Sequence, residues 1–389
     1  MSIPHRRIRV GVVGTGGIAD AVQMPALRRL ASDVEVVAAM DIDPERLAAF
    51  AAKWSVPDAY TDLGEMLAGS SVDLVVVCSP PAVHREQVLA VVRAGAWAWC
   101  EKPPALSLAE YDELTSADVP GGPYASIVFQ HRFGSGARHA RRLLADGALG
   151  RPLVAHCQTT WYRDQAYYDV PWRGRWASEG GGPAVGLGIH QIDLLLDLLG
   201  SWRSVKAMAG TLARDIETDD VSVATVEFDN GALATVVNSA LSPRQLSHLR
   251  IDCELATVEL NHLYGYRDDD WTYTPSPGVA PEIVAGWKPT GPDEPSTHLP
   301  QLRALLADVR AGRPPATSGT GGRAALELIS AMYRSAFTDR TVRRGEIVPG
   351  DAFYESINGS ARGRGLGRGD GVLEDARSGS TGGRVRDRD

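Results

Sequence analysis

The chain has 389 residues, of which 44% are hydrophobic and 23% are charged, and its formal net charge is −8. This length predicts two domains with substantial hydrophobic cores, and the composition excludes the fibrous and membrane classes. The acidic balance argues against nucleic acid as a partner. No apolar run is long enough for a membrane helix, and the amino terminus lacks the apolar core of a signal peptide. We therefore expect a cytoplasmic protein without a membrane partner.

The four cysteines lie far apart in the sequence, at Cys78, Cys100, Cys157 and Cys253. Their spacing matches neither a zinc site nor a disulfide scaffold. We expect reduced, mostly buried thiols and no bound metal.

From Arg9 to about Phe129, short β-branched runs alternate with amphipathic stretches, which is typical of a doubly wound parallel sheet covered by helices. Predicted helices include Pro44 to Lys53 and Val83 to Ala94. The predicted strands are IRVGVVG, VEVVAAMD, VDLVVVCS, AWAWC and YASIVFQ. The sequence thus predicts an α/β fold with a Rossmann domain over residues 1–133.

The pattern changes after Gly134. A helix is predicted from about Ala137 to Asp146, and longer strands then follow with tight turns such as Asp229-Asn230-Gly231, a hairpin signal. These strands are SVKAMAGTLA, DVSVATVEF, ALATVVNSAL, HLRIDCE and ATVELNHLY. We expect a second α/β domain over residues 134–357, with a large, mainly antiparallel open sheet.

The last third of the chain contains both regular and irregular segments. Thr272 to Pro300 is rich in proline and turn residues, so we expect a long loop. The spacing of apolar residues predicts helices from Leu299 to Arg310 and from Arg323 to Phe337. From Gly359 onward the chain has almost no apolar residues. Because such a segment cannot offset the entropy of ordering, residues 358–389 are predicted to be a disordered tail.

Between the first strand and a helix, Gly14, Gly16 and Ala19 give the G-x-G-x-x-A form of the dinucleotide fingerprint. Glycines let the chain turn and approach a pyrophosphate, whose charge the helix amino terminus stabilises. A tight structural turn is the alternative. We expect Gly14, Gly16, Gly17 and Ile18 to bind the cofactor.

Asp41 ends the second predicted strand, at the position expected for an acid that binds the cofactor ribose. Its carboxylate would repel a 2′-phosphate, so NAD is favoured over NADP. Arg46 is the nearby basic residue, and we interpret it as a solvated helix residue. Asp43, directly before Pro44, is interpreted as a helix cap.

The fifth strand ends in Cys100-Glu101-Lys102-Pro103-Pro104, at the edge of the sheet where ligands bind. A cis bond before Pro103 would determine where Lys102 points. A Glu-Lys-Pro sequence by itself would also fit a surface loop.

From Arg9 to about Ile357 the chain resembles the glucose-fructose oxidoreductase, inositol dehydrogenase and MocA (Gfo/Idh/MocA) family. The matching segments are GVVGTGGIA, MDIDPER, VVVCSPPAVH, CEKP, FQHRFG and EGGGPAVGLGIHQIDLLLDLLG. The resemblance implies a Rossmann domain, an α/β domain whose open sheet supports a homo-oligomer (dimer or tetramer), and NAD(P)-dependent chemistry at a sugar or cyclitol carbon. On this basis we expect Ser79, His84, Glu101 and Lys102 near the cofactor.

In such enzymes the lysine that matches Lys102 lies by the nicotinamide and the substrate hydroxyl, while the histidine that matches His190 accepts a proton. Both roles are chemically sound, since oxidising an alcohol requires proton removal alongside hydride transfer. A histidine, with an ordinary pKa of about 6.5, suits a base near neutrality. A lysine cation can stabilise the developing alkoxide. For His190 alone, a structural role is the alternative.

One position departs from the family pattern. The family commonly has an aspartate four residues before the histidine, whereas this chain has Gly186 there, followed by Gly188 and His190. Asp193 would reach His190 if this stretch is helical, and it could equally pair elsewhere or bind substrate. Without the aspartate that usually holds the base, dehydrogenation stays possible but inositol-type chemistry is less well supported.

Aromatic residues and arginines crowd residues 161–176. Sugar rings pack on Trp and Tyr, and hydroxyls bind Arg and Asp, so Tyr162, Arg163, Trp172 and Arg173 are predicted to bind substrate. Packing between domains or subunits is the alternative.

These features together predict an NAD-dependent dehydrogenase that acts on a hydroxyl or keto carbon of a sugar, glycoside or cyclitol. One alternative is a ketoreductase for a sugar attached to a nucleotide or natural product, with the Thr272 to Pro300 loop shaping its pocket. The other is a non-catalytic NAD-binding regulatory subunit, which the glycine at position 186 would allow.

Overall fold

The computed structural model describes residues 6–359, so the predicted tail lies outside the described residues from position 360 onward. The strands are β1 Ile8–Val13, β2 Val34–Met40, β3 Asp58–Tyr60, β4 Leu74–Val77, β5 Trp97–Cys100, β6 Ala125–Ile127, β7 Pro152–Thr160, β8 Trp202–Gly210, β9 Val221–Phe228, β10 Leu233–Ser239, β11 Leu246–Cys253, β12 Ala256–Asn261, β13 Trp271–Pro275 and β14 Val342–Arg343. The α-helices are α1 Met24–Arg29, α2 Pro44–Trp54, α3 Leu63–Gly69, α4 His84–Arg93, α5 Leu108–Ser116, α6 Ser135–Ala145, α7 Gln165–Tyr168, α8 Trp176–Glu179, α9 Pro183–Gly186, α10 Ile189–Leu199, α11 Pro281–Ala285, α12 His298–Ala311, α13 Gly319–Thr338 and α14 Ala352–Glu355.

The amino-terminal sheet is parallel, with the strand order β3-β2-β1-β4-β5-β6. This confirms the predicted doubly wound domain. Strands β4 and β5 are fully buried, because helices cover both faces of such a sheet. The strand order reverses between β1 and β4, and their carboxyl ends therefore open the crevice in which such folds bind ligands.

Helix α2 shows how the local sequence positions the residues behind β2. Asp43 Oδ1 accepts hydrogen bonds from the backbone N–H groups of Glu45 and Arg46, and Pro44 occupies the first helical turn. This confirms the predicted cap. The chain consequently turns sharply after β2 and brings the side chain of Arg46 back towards the sheet edge.

The second sheet has the order β13-β12-β11-β7-β10-β9-β8-β14. Strands β7 and β10 run parallel, and all other neighbours in this sheet are antiparallel. The predicted hairpin at Asp229-Asn230-Gly231 joins β9 to β10, with Gly231 at a φ of 88° that favours glycine. Helices α10 and α13 pack on one face of this sheet, which confirms the predicted mainly antiparallel architecture.

The segment from Thr272 to Pro300 is only in part the long loop that its composition predicts: residues 286–297 are irregular, but the segment also contains regular elements. Strand β13 pairs with β12 at the sheet edge, and α11 follows it. The side chain of Trp287 is buried, and its indole N–H donates to the Ala148 carbonyl at 3.1 Å. Prolines and turn residues are compatible with an edge strand, so composition alone did not reveal this packing.

Helix α12 lies against the parallel sheet although it follows the second sheet in sequence. Its apolar residues share one core with Trp97 and Trp99. The Gln301 side chain accepts from the Phe129 N–H and donates to the Ile127 carbonyl. The chain thus returns to the first domain, and this return brings His298 to the edge of the crevice.

Within residues 6–359, no helix is long and apolar enough to cross a membrane. The four cysteines are buried and free, in agreement with the sequence prediction.

Candidate active site

A cavity of about 1140 Å³ lies at the carboxyl ends of the parallel strands, facing the second domain. Its walls join the glycine loop, the residues after β2, β4 and β5, the aromatic segment and the start of α10. The predicted site residues that line it are Gly14, Gly16, Gly17, Ile18, Asp41, Ser79, Glu101, Lys102, Arg163, Trp172, Arg173 and His190. The structure therefore brings most of the predicted residues into one space.

The glycine loop has the shape of a dinucleotide cradle. Gly14 has a φ of 82°, and a Cβ on it would lie 2.7 Å from the Ser79 nitrogen, so β1 and β4 require glycine there. By contrast, a Cβ on Gly16 or Gly17 would meet no atom within 4 Å. This open space beside the start of a helix fits a pyrophosphate.

Asp41 lies at the cavity with its carboxylate already fully hydrogen-bonded. Oδ2 accepts from the Thr15 N–H at 2.8 Å and from the Thr15 hydroxyl at 2.9 Å, and Oδ1 accepts from the Asp43 N–H at 3.0 Å. Arg46 donates to both oxygens, at 3.1 and 2.8 Å. Burial raises the pKa of Asp41, but these bonds outweigh burial and lower it to about 2.

The interpretation of Arg46 as a solvated helix residue is incomplete: the residue lies in α2 with 48% of its side chain exposed, but it is also ion-paired. Its guanidinium forms a two-point ion pair with Asp41 and lines the same cavity. The helix places Arg46 one turn after its cap, on the side that faces β2, and this direction is not visible in the composition of the segment.

Lys102 follows β5, and its peptide bond to Pro103 is cis. Nζ donates to the Gly186 carbonyl at 2.7 Å. Burial lowers the pKa of Lys102, while the neighbouring carboxylates Glu101 and Glu179 oppose this shift. Glu101 Oε1 accepts from Gln23 Nε2 at 2.7 Å and lies 3.3 Å from His298 Nε2.

His84, which was predicted near the cofactor, is not among the cavity-lining residues. It is buried, and its ring nitrogens lie 2.8 Å from the Ser79 carbonyl and 2.8 Å from the Pro103 carbonyl. It therefore ties the loop after β4 to the loop after β5, and it supports the cavity from behind.

His190 occupies the first turn of α10, and its ring faces the cavity with only 5% of the residue exposed. Its Nδ1 is buried and has no hydrogen-bond partner among the described residues, and the ring of His131 lies 5.0 Å away, centroid to centroid. Burial, with the nearby charge of Lys102, holds the pKa of His190 well below its usual value. The imidazole is consequently neutral at neutral pH and able to accept a proton.

Asp193 neither orients His190 nor lines the cavity. It is fully buried, and Arg132 donates to both of its carboxylate oxygens. Arg132 also donates to the Gly321 carbonyl at 2.9 Å. Asp193 therefore belongs to an ion pair that joins α10 to the domain junction and α13.

Replacing Asp193 with asparagine should destabilise the fold by roughly 3–5 kcal/mol, because it leaves Arg132 buried without its main counterion. Urea unfolding would measure the loss. The matched control is Asp339→Asn, since the Asp339 carboxylate is exposed and pairs with Lys206 at the surface. Equal stability of the two variants would contradict the structural role of Asp193.

In the aromatic segment, Arg163, Trp172 and Arg173 line the cavity, but Tyr162 does not. Tyr162 is 42% exposed, and the Arg214 guanidinium lies 5.2 Å from its ring centroid. Trp161 faces the cavity instead, because successive residues of an extended chain point to opposite sides. The predicted segment therefore lines the cavity, but it does so through Trp161 and not through Tyr162.

Several further cavity residues were not predicted individually. Glu179 ends α8 just before Gly180-Gly181-Gly182, and its signal in the sequence was an acid directly before a glycine run. Others include Gln87, Tyr167, Gln245, Leu263, Tyr264 and His298. The last four reach the site from remote positions, for which a single sequence carries no local signal. Within residues 6–359, no cluster of three or more His, Cys, Asp or Glu side chains could hold a metal ion.

Comparison with protein families identifies both halves of the chain. Residues 8–118 match the model described as "Oxidoreductase family, NAD-binding Rossmann fold" of GFO/IDH/MocA. Residues 137–259 match the GFO/IDH/MocA C-terminal domain.

Individual relatives cover most of the chain. D-glucoside 3-dehydrogenase of Escherichia coli is 26% identical over 86% of this chain and 97% of that protein. Myo-inositol 2-dehydrogenase of Thermotoga maritima is 25% identical over 88% of this chain and 100% of that protein. The crystal structure of the WlbA dehydrogenase from Bordetella pertussis, in complex with NADH and UDP-GlcNAcA, is 27% identical with a TM-score of 0.78, covering 87% of this chain and 99% of that one.

Proposed function

The chain belongs to the GFO/IDH/MocA family of NAD-binding oxidoreductases, and from this premise we propose that Lys102 and His190 catalyse hydride exchange at a hydroxyl or keto carbon of a sugar, glycoside or cyclitol. The observation that carries the proposal is that both side chains line the cavity that begins at the glycine loop. Relatives named as glucoside and inositol dehydrogenases support the substrate class.

Bound NAD supplies the hydride acceptor in oxidation, and NADH supplies the hydride donor in reduction. The loop from Gly14 to Ile18 would hold the pyrophosphate, at the start of the helical segment Ala19–Gln23 that continues into α1. Asp41 and Arg46 line the same crevice, where Asp41 would meet the cofactor ribose, and Ser79 and Glu101 line the wall that leads to Lys102.

Lys102 and His190 divide the proton chemistry between them. In oxidation, neutral His190 accepts the hydroxyl proton as the C–H bond breaks, and in reduction it returns a proton to the new alkoxide. Lys102 has three N–H groups, one of which is donated to the Gly186 carbonyl. The remaining N–H groups hold the substrate oxygen and stabilise its developing negative charge.

Two arginines favour an anionic sugar as a second candidate substrate. Arg173 stacks on Trp172, with its Cζ 4.4 Å from the ring centroid, and Arg163 lies 5.3 Å from the Trp161 ring centroid. Arg163 donates to the Tyr162 carbonyl at 2.7 Å, which is a neutral acceptor. Guanidinium groups that stack on aromatic rings in this way can pair with a carboxylate or with the diphosphate of a nucleotide. UDP-GlcNAcA, the ligand in the WlbA structure, belongs to this class.

The test is NADH absorbance during incubation with NAD or NADP and a panel of inositols, aldoses, glycosides, uronates and UDP-sugars. Reduction of NAD with one class supports the dehydrogenase and identifies its substrate. Turnover only of keto-sugars with NADH would favour the ketoreductase. Tight NAD binding without turnover of any panel member would contradict the proposed catalysis and favour a regulatory subunit.

Asp41→Ser should shift the cofactor preference towards NADP by roughly 10–100-fold, the effect of a charge-assisted hydrogen bond. The change removes a carboxylate that repels a 2′-phosphate and frees Arg46 to bind it. The ratio of kcat/KM for NADP over NAD measures the shift. Arg46→Gln in the Asp41→Ser background is the control, and an unchanged preference there would contradict the role given to Arg46.

We also propose that the open face of the second sheet assembles a cytoplasmic homo-oligomer, a dimer or tetramer. Met208, Val223, Val154 and Leu233 are exposed on this face. Met208 is the cross-strand neighbour of Val223, and Leu233 that of Val154. Such an apolar patch is typical of a protein interface, and light scattering after gel filtration would measure the mass of the assembly.

A further inference from the structure

The substrate half of the cavity collects positive charge. Lys102, Arg163 and Arg173 all line it, and Glu179 is the carboxylate that lies among them. Glu101 also lines the cavity, but its Oε1 is engaged by Gln23 and lies beside His298. Glu179 is therefore the carboxylate whose effect on Lys102, Arg163 and Arg173 has to be explained.

Glu179 is held at one defined place. The residue is 5% exposed, and its Oε2 accepts from the Gly174 N–H at 2.6 Å. Its Oε1 lies 3.8 Å from Arg173 Nη1. On the other side it faces Gly186, where a Cβ would lie 3.2 Å from Oε1.

Gly186 links Glu179 to Lys102. The carbonyl of Gly186 accepts from Lys102 Nζ at 2.7 Å, and the missing side chain of the same residue leaves the space into which Glu179 points. A carboxylate from α8 thus occupies the position that a short acidic side chain at 186 would take. Glu179, seven residues earlier, thus brings a carboxylate beside the position where the sequence lacks the acid of the family pattern.

The charges around Lys102 come from several elements. They are Glu101 and Glu179 on the negative side, Arg163 and Arg173 on the positive side, and the histidines His84, His131 and His190. Burial and the arginines favour loss of the lysine proton, whereas the carboxylates oppose it. Burial also raises the pKa of Glu179, and the Gly174 N–H, Arg173 and Lys102 oppose this shift, so Glu179 and Lys102 each favour the charged form of the other.

We propose that Glu179 is the positioning residue that keeps Lys102 charged and directed at the substrate oxygen. The proposal rests on the function proposed above for Lys102. Glu179 acts through the ammonium group, and its second oxygen anchors the aromatic segment at Gly174.

The ionisation of Lys102 can be observed without turnover. The chain contains four lysines, Lys53, Lys102, Lys206 and Lys288, so ¹³C-labelled lysine gives few Cε signals, and Lys102→Arg assigns the one of interest. In Glu179→Gln the Lys102 titration midpoint should fall by roughly 1–3 pH units, the effect of losing one close opposite charge. Glutamine keeps an oxygen that can accept from Gly174, so the change isolates charge from anchoring.

Activity should depend on the charge of Lys102 in the same way. In Glu179→Gln the alkaline limb of the pH–rate profile should move to lower pH, and kcat should fall about tenfold for each unit that the working pH exceeds the new midpoint. Glu217→Gln is the matched control, because Glu217 is exposed and its side chain is outside the cavity. That control should retain the wild-type profile.

Moving the carboxylate from position 179 to position 186 distinguishes the proposed role of Glu179 from a purely structural one. Gly186 lies in α9 and not at a left-handed backbone position, so its backbone can accept an aspartate. Gly186→Asp alone should lower activity because the new side chain crowds Glu179. The double variant Glu179→Ala with Gly186→Asp should be more active than Glu179→Ala alone. A structural anchor would give no such recovery.

An unchanged Lys102 midpoint in Glu179→Gln would overturn the proposal, even if the wild type is an active dehydrogenase. Conversely, if no substrate is turned over but the midpoint falls, the proposed function fails and the link between Glu179 and Lys102 stands. A folded Glu179→Gln variant, verified by thermal unfolding, is required for either conclusion.

Discussion

Lys102→Met should lower kcat/KM for sugar oxidation by roughly 10²–10³-fold, the usual cost of removing one preorganised donor to a developing oxyanion. Methionine approximates the length of the lysine stem but has no N–H to donate to the substrate oxygen. The half-buried ammonium is held by the Gly186 carbonyl, so its direction is set before substrate arrives. Steady-state kinetics with the preferred substrate measures the loss.

Lys288→Met is the matched control, because Lys288 is exposed and lies outside the cavity. It should have wild-type kcat/KM. If Lys102→Met retained full activity while remaining folded, the oxyanion would have to be stabilised elsewhere, and Arg173 would be the next residue to test.

His190→Gln should reduce kcat by roughly 10²–10⁴-fold, the range for loss of a general base. The wild-type rate of oxidation should fall on the acid side with a midpoint below pH 6.5, because burial, Lys102 and the neighbouring histidines hold the pKa of His190 below its usual value. Above this midpoint the imidazole is neutral and accepts the proton, and below it the imidazolium cannot.

The acid limb should be absent from the pH–rate profile of His190→Gln, and NADH binding, followed by fluorescence, should be retained. His262→Gln serves as the control, since more than half of the His262 side chain is exposed. Persistence of the same acid limb in His190→Gln would assign the titration to another group. His131, whose ring lies beside His190, would then be the candidate.

Much of the fold follows from short-range sequence signals. Apolar runs predicted the inner strands of the parallel sheet, and the Asp43-Pro44 pair predicted where α2 begins. Asp229-Asn230-Gly231 predicted the hairpin between β9 and β10. Strand β7, at the centre of the second sheet, was missed because its buried positions are not its most apolar ones: Leu153 and Val154 are exposed, whereas Thr159 is buried. Strand β3 is short and largely exposed. Burial of a central strand is decided by its neighbours and not by its own composition.

The glycine loop of the cavity was likewise predictable from the sequence, because all of its residues are close together in the chain. A strand, a glycine turn and a helix start are consecutive in sequence, and only glycine tolerates the approach of Gly14 to Ser79. The direction of side chains was less readable. Tyr162 and Trp161 differ by one position and point to opposite sides, and Arg46 pairs with Asp41 because α2 turns it back to the sheet.

By itself, the sequence determined the two-domain α/β fold and the nucleotide loop, and it supplied Lys102 and His190 as the residue types that the proposed chemistry needs. Tertiary structure alone decided which charged groups lie together. Arg132 pairs with Asp193, which is 61 residues away in sequence, and Glu179 points into the space beside Gly186, which has no side chain. The physical reason is that hydrophobic periodicity and caps act over a few residues, whereas the partner of a buried charge depends on how distant elements pack around it.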